Sequence, residues 1–232
     1  MSEQELRVIS LGGSLVAPEG IDLEFLSGFR HVLMNWLNAH AQRRAILVVG
    51  GGAPARIYQQ AARELAKDIS NEDLDWIGIA ATRINARLVR SAFYADAPCD
   101  IVENPETGEF DQGRILVASG WKPGFSTDYD AVVLAQRFQA ECLINLSNIE
   151  AVYTADPQLD PGAKPLEQIS WQQLQDIVGH TWKPGANWPF DPIATCRARE
   201  ANLKVIVAKG SDLRNLEHIL SGQNFKGTVI SA

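Results

Sequence analysis

The chain is short of the residues that would mark several common kinds of protein. Its three cysteines, Cys99, Cys142 and Cys196, are odd in number and do not have the spacing of metal ligands. That argues against a disulfide framework or a thiolate metal centre and for reduced thiols in a cytoplasm. No window approaches the roughly 18 consecutive apolar residues of a membrane-spanning helix. The opening MSEQELRVISLGG lacks a basic stretch followed by an apolar run, so no export signal is expected there. Positive charge is also scarce: 21 Lys and Arg stand against 28 Asp and Glu, for a formal net charge of −7. Such a balance disfavours nucleic acid or an anionic membrane as partner. Two nucleotide signatures are missing as well. There is no G-x-x-x-x-G-K-[ST], and GGGAPAR does not fit G-x-G-x-x-G.

What remains is an ordinary globular composition, 46% apolar and 21% charged over 232 residues, with no linker or low-complexity stretch. Short β-branched runs alternate with longer helical patterns. LRVISL (6–11), AILVV (45–49), RILVAS (114–119), ECLINLS (141–147), LKVIVA (203–208) and GTVIS (227–231) read as strands. Between Asp22 and about Ala41, Phe25, Leu26, Phe29, Val32, Leu33, Trp36 and Leu37 share one helical face. Leu23 and Met34 fall off that stripe, which suggests a second side buried against a partner. Further helices are expected after Gly52 to about Lys67, from an Asn71 cap, from Ser126 and from Asp212. The alternation predicts an α/β protein, a three-layer sandwich with a mainly parallel sheet and helices on both faces.

In such a sheet ligands gather where strands end and helices begin, and helix N-termini offer free N–H groups to anions. Three glycine-bearing loops fit: GGS (12–14), GGGAPAR (50–56) and GWKPGFSTD (120–128). Each alone reads as a turn, but three together point to phosphate binding. The tetrapeptide WKPG occurs twice, at 121–124 and 182–185, each time ahead of an Asp and a helical segment.

Taken in order and spacing, ISLGGSLVAPE, VVGGGAPAR, DWIGIAATRINA, PGFSTDYDAVVLA, LSNIEAVYTADP and FDPIA…LKVIVAKG resemble the amino-acid kinase superfamily, and within it the uridylate kinases of the archaeal type. The resemblance spans nearly the whole chain. It implies one domain over 1–232, with an acceptor-binding lobe to about residue 140 and an ATP-binding lobe from about 141. It also implies phosphorylation of UMP by ATP with Mg2+ and assembly as a homo-oligomer, with a hexamer favoured.

By the same resemblance Gly12, Gly13, Ser14 and Gly52 face ATP phosphates, and Gly51 lies against the UMP phosphate. Arg56 bridges phosphates, a task that suits a guanidinium fork. Asp75 holds the ribose of UMP, while Trp121, Ser126 and Thr127 belong to the loop around the acceptor. Ser147, Asn148, Tyr153 and Asp156 serve the adenosine, and Asp191 orients a lysine or metal beside the transferring group. Several positions depart from the family pattern, among them Glu150 and Ala151, where relatives usually have Asp-Gly. Ser10 stands where bacterial members have a lysine, and Trp121 where archaeal-type members usually have a threonine. Lys122 and Lys183, from the two WKPG loops, are the expected substitutes for the missing charge. The same fold with another acceptor, or a catalytically weak binding or storage protein, are the competing readings.

Overall fold

The computed structural model describes residues 5–157, 159–179 and 188–232. The chain runs β1 (Glu5–Leu11), α1 (Gly13–Val16), α2 (Leu23–Ala39), β2 (Arg43–Val49), α3 (Gly52–Leu65), α4 (Asn71–Ala92), β3 (Ile115–Ala118), α5 (Thr127–Arg137) and β4 (Cys142–Ser147). It continues with β5 (Val152–Tyr153), β6 (Pro165–Leu166), β7 (Gln168–Ser170), α6 (Trp171–Val178), α7 (Pro192–Glu200), β8 (Val205–Lys209), α8 (Leu213–Leu220) and β9 (Thr228–Ser231). Seven strands form one sheet in the order β3-β2-β1-β4-β8-β9-β7, parallel throughout except for the β8–β9 pair. The expected α/β architecture with a mainly parallel sheet is what the chain adopts. The short β5–β6 hairpin, β7 and α6 were not foreseen, because runs of two or three strand residues carry no periodicity.

Central strands of such a sheet are covered on both faces and read as continuous apolar runs. On one face Ile9, Leu11, Leu47, Val49, Ile144 and Leu146 pack under α2, α4 and α8, with Phe29, Leu33 and Leu37 of α2 fully buried. On the other, Val8, Val48, Leu143 and Val207 meet α5, α6 and α7 through residues such as Leu134, Leu174 and Ala194. Each such side chain stabilises the fold by roughly 1.5–3 kcal/mol. Off-stripe Met34 turns out to pack against the first of these clusters within the same chain, which leaves Leu23 as the exposed apolar residue on that helix. The larger exposed apolar surface lies on α3 and α4, at Ile57, Tyr58, Trp76 and Ile84.

The strand order separates the chain by halves. β1, β2 and β3 progress to one side of the sheet, while β4 and β8 progress to the other, so the order reverses between β1 and β4. A crevice opens at the C-terminal ends of the strands at such a reversal. Gly12 N–H donates to Leu146 O (3.0 Å) across it. The loops after β1 and β2 also interlock. A Cβ on Gly13 would lie 2.0 Å from Gly52 N, and one on Gly52, whose φ is +65°, would lie 2.4 Å from Gly13 O. Gly13→Ala should therefore cost about 1–3 kcal/mol through overpacking, read as a lowered urea midpoint. A wild-type midpoint would show that the two loops yield freely.

Candidate functional site

The glycine loops lie side by side at the crevice, where the first N–H groups of α1 and α3 have no partner within their helices. Two buried side chains of α4 hold this region from below. Asn85 Nδ2 donates to Gly50 O (2.9 Å) and Gly51 O (3.0 Å), and Thr82 Oγ1 accepts from Gly120 N (2.8 Å). Neither was singled out from sequence, although two polar residues at i and i+3 on an otherwise apolar face were a readable signal. Arg56, exposed on α3, reaches back so that Nη1 donates to Ser14 Oγ (3.2 Å). Gly12, Gly13, Ser14, Gly51, Gly52 and Arg56 thus form one neighbourhood.

The segment between β3 and α5 forms the opposite wall. Gly124 N–H donates to Asp75 Oδ2 (2.8 Å), so the acid expected at a ribose here holds this loop. A carboxylate has further acceptor sites, so the contact does not exhaust it. Helix α4, which carries Asp75, is capped by Ser70 rather than Asn71: the Ser70 side chain accepts from Asp73 N. Ser126 caps α5 by accepting from Tyr129 N (3.3 Å), which puts Thr127 at the first helical position. The Trp121 and Phe125 rings stack with centroids 5.7 Å apart, and Phe125 lies 4.4 Å from Tyr129. Lys122 rests on this shelf, its Nζ 3.6 Å from the Trp121 ring centroid, with the side chain exposed. At the far end Arg197 Nη1 donates to Tyr129 Oη (2.6 Å).

Beneath that loop three carboxyls gather from α5 and the start of α7. Asp191 caps α7, accepting from Ile193 N (2.7 Å) and Ala194 N (2.8 Å), and receives a hydrogen bond from the Ser126 side chain. Asp128 accepts from Ser10 Oγ (2.9 Å) and from the backbone of Asp191. Ser10 therefore serves an acid. Asp130 is fully buried; its Oδ2 accepts from Trp121 N (3.1 Å), while Oδ1 has no hydrogen-bond partner among the described residues. Burial raises all three above the usual carboxylate range. Asp128 is pushed to about 6 by desolvation and then by the Asp191 charge, against the pull of Ser10. Asp130 is pushed to about 8 by desolvation, with Asp128 and Asp191 adding to it and the Trp121 N–H and Lys122 opposing.

The residues expected around adenosine follow β4 on the other side of the reversal. Ser147 ends the strand and accepts from Ile149 N (3.4 Å), and Asn148 is exposed beside it. Tyr153 is half-buried in the β5–β6 hairpin opposite Pro165, and Asp156 is exposed at the turn beyond it. The hairpin is tied to the sheet by Thr228, whose Oγ1 accepts from Val152 N (2.8 Å) and donates to Leu166 O. Lys183 lies outside the described residues.

The raised carboxyls set a pH dependence whose sign is fixed. The folded state keeps protons on Asp128 and Asp130 that the unfolded chain releases near pH 4, so stability falls as pH rises through the interval. The thermal midpoint should decline from pH 5 to about 8 and flatten above. Asp130→Asn removes the longest-lived of these protons and should shallow the decline, as followed by circular dichroism. An unchanged slope in that variant would contradict the assignment.

Comparisons with known proteins agree with this geometry. The sequence pattern of the Amino acid kinase family matches residues 5–209. The chain is 36% identical to the uridylate kinase of Archaeoglobus fulgidus over 97% of its own length and 99% of that protein. It is 35% identical to the uridylate kinase of Methanospirillum hungatei over 97% and 94%. The crystal structure of the Archaeoglobus fulgidus uridylate kinase superposes with a TM-score of 0.83 at 34% identity, covering 97% of this chain and 99% of that one. The Bacillus anthracis UMP kinase shares the fold, with a TM-score of 0.79 at 20% identity. With the family pattern spanning most of the chain and these relatives matched end to end, the chain belongs to the amino acid kinase family.

Proposed function

We propose that this protein transfers the terminal phosphoryl group of ATP to the phosphate of UMP, giving UDP and ADP. The observation that carries the reading is the pairing of Asp75 with the 121–127 loop opposite the interlocked glycine cradle, in a chain matched end to end by uridylate kinases. The γ-phosphorus bond to the bridging oxygen breaks as a UMP phosphate oxygen bonds to phosphorus, so the protein's task is positioning and charge neutralisation. Gly12, Gly13, Ser14 and Gly52 approach the ATP phosphates, and Gly51 the acceptor phosphate. Asp75 takes the ribose hydroxyls, and Trp121, Ser126 and Thr127 close over the acceptor. Ser147, Asn148, Tyr153 and Asp156 bind the adenosine.

Arg56 and Lys122 supply positive charge, with Lys183 as a further source and Asp191 as the acid beside them. Lys122 would leave an aromatic contact worth about 0.5–1 kcal/mol at an exposed site for a phosphate oxygen, which makes its movement inexpensive. Mg2+ would arrive on the triphosphate. Among the described residues no three acids, histidines or cysteines are arranged to hold a metal. A cation bound chiefly by phosphate oxygens and water requires no such set.

The protein would work in the cytoplasm as a homo-oligomer, with a hexamer favoured; the exposed apolar residues of α3 and α4 offer its contact surface. Among the described residues no helix is long and apolar enough to cross a membrane. Light scattering at micromolar concentration should report an assembly rather than a monomer.

A coupled ADP-release assay across nucleoside monophosphates should give UMP as the preferred acceptor. Absence of turnover with every nucleoside monophosphate would overturn the reading. Lys122→Met or Lys183→Met, whichever removes the working charge, should lower kcat by about two to three orders of magnitude with ATP affinity largely kept. Normal turnover in both would transfer the role to Arg56.

A further inference from the structure

Asp130 is costly where it stands. It is fully buried, and Oδ1 has no hydrogen-bond partner among the described residues. A buried polar atom left unsatisfied calls for a reason, since an apolar residue in the same space would avoid the cost. Its neighbours on α5, Ala131, Val132, Val133 and Leu134, are fully buried apolar residues, so the helix face itself does not require an acid. The other oxygen supplies the reason: Oδ2 accepts from the backbone N–H of Trp121, at the point where the chain leaves β3 and enters the 121–127 loop.

That loop has three fixed points at its start and middle. Thr82 holds Gly120, Asp130 holds Trp121 and Asp75 holds Gly124. The first and third come from α4, whereas Asp130 comes from α5, so it alone of the three ties the loop to the helix that follows it. Without it, the Trp121 ring and the Lys122 ammonium resting on it would pivot between Gly120 and Gly124. We propose that Asp130 is a positioning residue for acceptor recognition, acting through the Trp121 backbone to fix the orientation of the loop that closes over the nucleoside monophosphate. This rests on the acceptor assignment of that loop. The raised pKa agrees with it: a carboxyl protonated on Oδ1 keeps Oδ2 as a neutral acceptor for Trp121 without adding a full charge beside Asp128 and Asp191.

Two substitutions separate positioning from mere packing. Asp130→Asn keeps a carbonyl acceptor in the same shape; Asp130→Leu removes it. In the leucine variant KM for UMP should rise about tenfold or more while KM for ATP stays within about threefold. The asparagine variant should restore KM for UMP to within about threefold of wild type. Hydrogen–deuterium exchange of peptides spanning Trp121 reads the anchor without reference to any substrate. Exchange at that amide should speed up at least tenfold in the leucine variant and stay slow in the asparagine variant. A leucine variant with unchanged UMP KM, or with both KM values raised alike, overturns the proposal. Should the leucine variant not fold, Asp130→Ser, too short to span the distance, takes its place with the same expectations. Were the wild-type chain inactive on UMP, the acceptor reading would fail; a slow Trp121 amide released in the leucine variant alone would then still support the anchor, and unaltered exchange in that variant would overturn it.

Discussion

Close approach of two backbones governs this site. Gly13 lies against Gly50, Gly51 and Gly52 so tightly that no side chain fits between them. Because β1 and β2 are parallel neighbours in direct register, their C-terminal ends stop at the same level, and the loops that follow meet. This brings two sets of helix-start N–H groups into one place, where two phosphates must also approach each other. Asn85 completes the arrangement by engaging the carbonyls of Gly50 and Gly51, which fixes the backbone of the second loop while the Gly50 N–H stays bonded to Leu11 O (3.0 Å). The dependence runs one way: the acceptor wall and the adenosine side gain meaning only if this cradle stays narrow.

The sheet reversal between β1 and β4 places the proposed acceptor and adenosine sides on opposite halves of one sheet. Elements before residue 140 build the glycine cradle and the loop wall, and elements after it build the hairpin that follows β4. The two halves nonetheless share one continuous core on each face of the sheet, since each cluster contains strands from both. Any relative movement during a reaction would have to come from loops and the hairpin rather than from the halves.

Much of this was legible in the sequence, and the parts that were not share a cause. Long apolar runs and helix stripes gave β1, β2, β4, β8 and α2 within two or three residues, because burial imposes a period. Glycine at three strand ends gave the crevice. Ser70 was missed as a cap because Asn71, beside it, is an equally good capping type, and only the backbone decides between them. Asn85 and Thr82 have backbone partners far away in sequence, and Asp130 bonds the Trp121 backbone nine residues earlier; a composition pattern records neither kind of partner. Ser10 was read as a lost charge, yet its hydroxyl is engaged with Asp128.

That last pair leads to how an acidic chain accommodates polyanions. The formal charge is −7, and three carboxyls lie under the loop that would cover the reacting phosphates. Were all three ionised, they would repel both nucleotides at short range. Burial prevents this by raising all three, Asp130 furthest, to about 8, so that it stays mainly protonated at neutral pH. A phosphate arriving nearby adds negative charge and raises these pKa values further, so binding and proton uptake reinforce each other by linkage. On the proposed reading the protein would receive anions in two ways that do not depend on a dense basic patch: through backbone N–H groups at the glycine loops, and through acids whose protons absorb the change in charge. Arg56 and Lys122, both exposed, are the side-chain charges that the proposed reading assigns to the transferring group.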